Sequence, residues 1–132
     1  MSQYEDLQAG PIFPRGDKVG ENFLGDAYLE MLYVDEKPLN GAIGNVTFAP
    51  GARNNWHVHD VGQILLVTGG EGWYQEWEQP ARHLQKGDVV TIPADVKHWH
   101  GATKEAWFVH LAISPGGTTW LEEVAEADYL AL

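Results

Sequence analysis

Residues 51–63 read GARNNWHVHDVGQ, and this stretch decides how the rest of the chain is interpreted. His57 and His59 are two residues apart, and side chains at i and i+2 of a β-strand project from the same face. Both imidazoles are therefore expected to point into one space, at a spacing typical of metal ligands. Gln63 joins them if the strand turns after His59 and starts again, because an amide oxygen also binds divalent cations.

Three more histidines lie in later strand-like segments. His98 and His100 repeat the spacing of two residues, and His110 follows on another candidate strand. In a small antiparallel barrel every second residue faces the lumen, so His98 can reach the first pair from the opposite wall. Three imidazoles and the Gln63 oxygen make four ligands and leave coordination positions open, which predicts a catalytic metal site. The alternative for each histidine is a surface or hydrogen-bonded core residue that binds no metal.

The rest of the chain has the rhythm of an all-β fold. Short apolar segments alternate with Gly- and Pro-rich turns roughly every ten residues, which is typical of an antiparallel β-barrel or jelly roll. One strand is predicted at 64–68, and the glycines at 69 and 70 are predicted to separate it from the next at 72–77. Residues 1–132 form one predicted domain, with an irregular N-terminal arm at 1–22 and a short C-terminal helix at 118–130.

Composition limits the classes of partner. The formal charge of −11 opposes binding to nucleic acid or to anionic membranes, both of which require clustered Lys and Arg. Cysteine is absent, so a metal here depends on nitrogen and oxygen ligands. The first residues are polar and acidic with no apolar run behind them, so we expect neither a signal peptide nor a membrane span, and a cytoplasmic location.

Two motifs in this chain resemble those of the cupin family. The first family motif is Gly, five residues, His-x-His, three or four residues, Glu, six residues and Gly. This chain has Gly51, His57, His59, Gln63 and Gly70 at those positions, with Gln in place of Glu. The resemblance implies a single-domain cupin barrel with His57, His59, Gln63 and His98 as metal ligands.

The second family motif is Gly, five residues, Pro, one residue, Gly, two residues, His, three residues and Asn. Gly87, Pro93 and His98 match it, whereas Asp95 replaces the Gly and Ala102 replaces the Asn. Both motifs fall in register, which strengthens the resemblance.

Glutamine in place of the family's glutamate changes the chemistry expected of the metal. A carboxylate cancels one charge of a divalent ion and can act as a base, whereas the Gln63 amide does neither. Such a site favours Lewis-acid chemistry over the stabilisation of a higher oxidation state, and so disfavours a dioxygenase.

Within the cupins the chain is most similar to small bacterial manganese-dependent hydroxynitrile lyases, which also have three His and one Gln. The likeness runs from Phe48 to Tyr129, and those lyases have Thr where this chain has Asn54, a pocket position. The resemblance implies one divalent ion, manganese first, with zinc, nickel or iron as alternatives. It also implies a homodimer or a higher homo-oligomer.

The resemblance places His100 and His110 in the pocket without binding metal. One hypothesis gives them proton transfer to or from a small-molecule substrate, and the other gives them only the orientation of the ligands. Phe108 and Ala112 share the strand parity of His110. The predicted substrate pocket comprises Asn54, Val46, Phe48, Phe108 and Ala112.

Three functions remain open on the sequence. The first is a Lewis-acid enzyme acting on a small oxygen-bearing molecule, with carbon–carbon lyase chemistry of the hydroxynitrile kind as its specific form. The second is a metal-containing sensor or binding module that holds a small ligand without turnover. The third is a storage or purely structural cupin with no metal.

Overall fold

The computed structural model describes residues 12–35 and 37–132. Within this part of the chain there are twelve β-strands and one short α-helix. The elements are β1 (Asp17–Val19), β2 (Phe23–Leu24), β3 (Ala27–Asp35), β4 (Gly41–Phe48), β5 (Arg53–Asn54), β6 (His57–His59), β7 (Gly62–Glu76), β8 (Arg82–Gln85), β9 (Val89–Pro93), β10 (His98–Ala102), β11 (Phe108–Pro115), β12 (Thr118–Trp120) and α1 (Glu126–Leu130).

The strands pair antiparallel and form two sheets that share β7. One sheet has the order β1-β3-β4-β11-β7-β9. In the other sheet, β7 pairs with β8 and with β10. β10 also pairs with β5 and with β6. The outer strand β2 pairs with β5, and the outer strand β12 pairs with β6. This arrangement confirms the predicted antiparallel barrel with a short C-terminal helix.

β7 is the strand that joins the two sheets. Its residues before Glu71 pair with β9 and β11, and those from Glu71 onward pair with β8 and β10. Gly70 lies at the change of sheet with φ of +74°, and a Cβ there would overlap the Trp107 carbonyl oxygen. The break predicted at the glycines is therefore wrong, because they let one continuous strand change sheets.

The C-terminal segment differs from the predicted helix at 118–130. Thr118–Trp120 is a strand paired with β6, and the helix is limited to Glu126–Leu130. Ala125 precedes the helix without a side-chain cap hydrogen bond, so local capping does little to stabilise it. Burial of Tyr129 instead anchors this segment, since its hydroxyl donates to the Ala102 carbonyl at 2.6 Å.

The predicted irregular arm at 1–22 is only partly described, since residues 1–11 lie outside the described residues. Within the remainder, Asp17–Val19 is a strand that pairs with β3, contrary to the prediction. An ion pair of 2.9 Å joins Lys18 of β1 to Asp26, the residue immediately before β3. The strand was missed because it is short and carries charged, exposed side chains.

The interior contains one large apolar cluster and one smaller cluster. The large one is built from inward-facing residues of both sheets, including Phe48, Leu65 and Phe108. Trp56 and Trp99 pack with Val124 and Tyr129 in the smaller cluster. No helix in residues 12–35 and 37–132 has the length and apolar character needed to span a membrane.

Candidate metal centre

β6 and β10 bring the predicted histidine ligands together. His57 lies directly opposite His98 in the antiparallel pair, and their ring centroids are 4.1 Å apart. The ring of His59 lies 5.0 Å from that of His57 and 5.2 Å from that of His98. All three side chains are buried. The alternation of side chains along the two short strands thus produces the predicted convergence.

Backbone carbonyls fix the protonation of two of these imidazoles. The Nδ1 atoms of His57 and His98 lie 2.7 Å and 2.9 Å from the carbonyl oxygens of Asn55 and Val96. A carbonyl oxygen only accepts, so in the neutral ring Nδ1 carries the hydrogen and Nε2 has an available lone pair. His98 Nε2 is buried and has no hydrogen-bond partner among residues 12–35 and 37–132.

The other two predicted ligands are held in a comparable way by side chains. His59 Nδ1 lies 2.9 Å from the Thr118 hydroxyl oxygen, and its Nε2 is buried with no hydrogen-bond partner in the described part of the chain. The Gln63 amide nitrogen donates to the Ser114 hydroxyl at 2.8 Å, and its Oε1 is also buried without a partner among the residues that the structure describes. Each residue is therefore anchored at one polar atom and has the other available.

These residues fit a divalent cation. A buried polar atom without a partner costs about 1–3 kcal/mol, and His59 Nε2, His98 Nε2 and Gln63 Oε1 are three atoms without a partner among the described residues. The His59 and His98 rings are 5.2 Å apart, and Gln63 lines the same cavity as His59. Imidazole nitrogens and an amide oxygen suit several divalent metals. A bound ion satisfies atoms that the protein itself leaves unpaired.

Burial keeps the imidazoles in the form that binds metal. It lowers the pKa of His57 well below 6.5 and that of His98 to about 4, and it also lowers the pKa of His59. All three rings are therefore neutral at pH 7. Protons compete with a metal at this site only under acidic conditions.

His100 lies in the same region but has different partners. One nitrogen from each of His57, His98 and His100 lies within 4.8 Å of the others, so these three also form a group that could hold a metal. His100 Nδ1, however, lies 3.0 Å from His110 Nε2, and the Asn54 amide nitrogen is 3.2 Å and 3.4 Å from its two ring nitrogens. Both nitrogens of His100 thus have polar neighbours within the protein.

His110 lies behind His100 and does not line the cavity. It is fully buried, and burial lowers its pKa to about 4. Its Nδ1 has no hydrogen-bond partner within the described residues. His110 is therefore connected to the cavity through its hydrogen bond with His100, which does line the cavity.

A cavity of about 1000 Å³ opens above these side chains. Its base is polar and includes His57, His59, Gln63 and His100, whereas its outer wall is largely apolar. That wall includes Phe23, Leu29, Met31, Val34 and Trp120. A small ligand would thus meet the histidines with one end and an apolar wall with the other.

Only some of the residues predicted for the substrate pocket line the cavity. Asn54, Val46 and Ala112 line the cavity. Phe48 and Phe108 do not; both are fully buried, with ring centroids 5.9 Å apart. This corrects their predicted role as pocket wall, and they instead pack beneath it. The Phe48 ring lies 5.7 Å from that of His110 and 6.1 Å from that of His100.

Sequence reasoning missed the contribution of β12 to the site. Thr118 contacts His59, and the Trp120 ring lies 4.5 Å from the His57 ring. The run Thr-Thr-Trp is rich in strand-forming residues, and this was the available signal. It also missed Phe23, whose ring lies 6.0 Å from that of Trp120.

Comparison with known proteins gives matches to one family. The cupin domain family matches residues 44–114. An (R)-mandelonitrile lyase from Granulicella tundricola is 38% identical over 111 residues, which cover 81% of this chain and 85% of that protein. A cupin-like protein from Thermotoga maritima, known from its crystal structure, is 45% identical with a TM-score of 0.86, over 92% of this chain and 96% of that one.

A more distant structure shares only the fold. A DMSP lyase from Ruegeria pomeroyi has a TM-score of 0.65 at 20% identity, over 88% of this chain and 62% of that one. The matched range 44–114 runs from within β4 to within β11 and contains all of the predicted metal ligands. The barrel, the cluster of three histidines and these matches agree: the chain belongs to the cupin family.

Proposed function

We propose that this cupin is a metal-dependent lyase that cleaves aromatic cyanohydrins into a carbonyl compound and hydrogen cyanide. The observation that carries the proposal is the convergence of His57, His59 and Gln63 on the cavity base, where His100 also lies with His110 hydrogen-bonded behind it. The (R)-mandelonitrile lyase that it resembles supports this choice of substrate class.

The ligands in this proposal are His57, His59, His98 and Gln63, and the ion is manganese. A divalent ion held by three imidazoles and a neutral amide supplies Lewis acidity to a substrate oxygen. Gln63 contributes to this chemistry because its amide, unlike a carboxylate, adds no negative charge. Ser114 keeps the amide oxygen available by accepting a hydrogen bond from the amide nitrogen.

His100 and His110 would move the proton that cleavage requires. When His100 Nδ1 carries the hydrogen and donates it to His110 Nε2, His100 Nε2 is a base at the cavity surface. It takes the hydroxyl proton while the carbon–carbon bond breaks and cyanide leaves with the electron pair. Burial lowers the pKa of His100 well below 6.5, so the imidazolium readily returns its proton to cyanide.

The apolar wall favours an aromatic substituent on the substrate. Trp120 and Phe23 lie on the side of the cavity next to His57, with ring centroids 6.0 Å apart. Aromatic pairs contribute about 0.5–1.5 kcal/mol beyond the burial of area. A phenyl group placed there leaves the hydroxyl and nitrile of mandelonitrile directed at the polar base.

The direct test combines metal analysis of the isolated protein with a cleavage assay. Protein loaded with Mn²⁺ is expected to release benzaldehyde and cyanide from mandelonitrile, and the metal-free protein is expected to lose this activity. Loading with Zn²⁺, Ni²⁺ or Fe²⁺ shows which ion is used. Full metal occupancy without turnover on cyanohydrins would contradict the proposal and favour the binding module.

Replacing Trp120 by alanine is expected to raise KM for mandelonitrile about 3- to 10-fold, because an aromatic contact of about 1 kcal/mol is lost. KM for the aliphatic acetone cyanohydrin should change far less. Trp77→Ala is the matched control, since Trp77 is also partly exposed but does not line the cavity. Equal effects of Trp120→Ala on both substrates at full metal content would argue against an aromatic subsite.

A further inference from the structure

His59 differs from the other two imidazoles in what fixes its protonation. His57 and His98 face carbonyl oxygens, which can only accept a hydrogen bond. His59 Nδ1 faces the Thr118 hydroxyl, which can either donate or accept. If the hydroxyl donates, the neutral ring carries its hydrogen on Nε2, and that lone pair is lost to a metal. The state of His59 thus depends on the direction of one hydroxyl group.

We propose that Thr118 is a positioning residue that holds His59 in its metal-binding tautomer by accepting a hydrogen bond from Nδ1. The proposal rests on the ligand set given above, in which His59 binds the metal. Thr118 is exposed, so its hydroxyl hydrogen can donate to solvent while its oxygen accepts from His59. The reverse arrangement would place the hydrogen of the neutral ring on His59 Nε2 and so withdraw that atom from the ligand set.

The register of β12 supplies the geometry for this contact. Thr118 lies directly opposite His59, and Trp120 lies directly opposite His57. Side chains opposite one another in an antiparallel pair share a face, so both β12 residues meet the histidines. A slip of one residue would turn Thr118 to the other face of the sheet.

Asp60 and the turn before β12 hold that register. The Gly117 amide donates to the Asp60 carboxylate at 2.7 Å, and the Asp60 amide donates to the Gly117 carbonyl at 3.2 Å. Gly116 has φ of +74°, and a Cβ there would collide with the Asp60 side chain and Val61. The turn therefore packs against Asp60, the residue that follows His59. This contact fixes the distance between Thr118 and the His59 ring.

The test compares Thr118→Val with Thr118→Ser in the full-length protein. Valine keeps the shape but cannot hydrogen-bond, so the Mn²⁺ dissociation constant is expected to rise about 10- to 100-fold. Serine keeps the hydroxyl and should restore the affinity to within about threefold of the wild type. Thr119→Val is the matched control, because Thr119 is adjacent and exposed but lies opposite Val58.

Nitrogen-15 NMR of the metal-free proteins supplies a second readout, independent of activity. The His59 ring should show a protonated Nδ1 in the wild type and in Thr118→Ser, and a mixture of tautomers in Thr118→Val. Thermal unfolding of each variant checks that the fold is retained.

His59→Ala separates failure of this proposal from failure of the ligand set. If His59→Ala leaves Mn²⁺ affinity unchanged, the assignment of His59 as a ligand is wrong and the role of Thr118 fails with it. If His59→Ala abolishes binding while Thr118→Val keeps wild-type affinity and tautomer, the role of Thr118 is overturned and the ligand set stands.

Discussion

Replacing His98 by alanine is expected to remove the bound metal and to lower cyanohydrin cleavage by about three orders of magnitude. His98 is fully buried, its Nδ1 donates to the Val96 carbonyl, and its Nε2 has no partner among the described residues. Loss of this imidazole leaves only three of the four proposed ligands to hold the metal. Without the ion, several kcal/mol of transition-state stabilisation disappear, and each 1.4 kcal/mol is about tenfold in rate.

The measurements are metal content by elemental analysis and kcat/KM for mandelonitrile. His83→Ala is the matched control, because His83 is a partly exposed histidine paired with Glu71 and does not line the cavity. Its metal content and activity should equal those of the wild type. A His98→Ala protein that keeps stoichiometric metal would rule out His98 as a ligand.

The second large effect is expected from the His100–His110 pair. Replacing either residue by asparagine should lower kcat about 10²- to 10³-fold while metal content stays unchanged, because positioned proton transfer contributes on that scale. The double variant should be little worse than either single one. The two rings share one hydrogen bond of 3.0 Å and are expected to act as a unit, so their effects do not add.

Metal analysis of the same variants distinguishes two arrangements of the site. His100 also belongs to a group of three imidazoles that lie close enough to share a metal. If His100→Asn loses the metal, His100 is a ligand and its proposed role in proton transfer is wrong. If both single variants keep the metal and the wild-type kcat, neither histidine takes part in the reaction.

The predicted convergence of histidines held because it depended on local rules. The period of two residues fixes which side chains of a strand share a face, and His57, His59 and His98 lie in short strands with regular alternation. The same rule placed Phe108 on the face of its strand that carries His110, and both side chains are buried. The alternation rule could not predict how far a side chain lies from the cavity, because it identifies only the face of the strand on which the side chain lies.

The errors occurred where partners distant in sequence decide the structure. Thr118 can begin a helix as a capping residue, but pairing with β6 makes it part of a strand. The glycines of β7 are residues typical of a turn. They instead lie where β7 passes from one sheet to the other, and their pairing with β11 determines this position. In both cases a contact between distant segments outweighs the local preference.

The place of β12 in the chain has a consequence for how the protein is made. The bond between His59 and Thr118 spans 59 residues, so the site is incomplete until the segment after β11 has been synthesised and has docked. The large apolar cluster contains none of the proposed ligands, so we expect the barrel to fold without the ion. Metal would then load onto a finished barrel, and the ion acquired would reflect the supply that the newly folded protein meets.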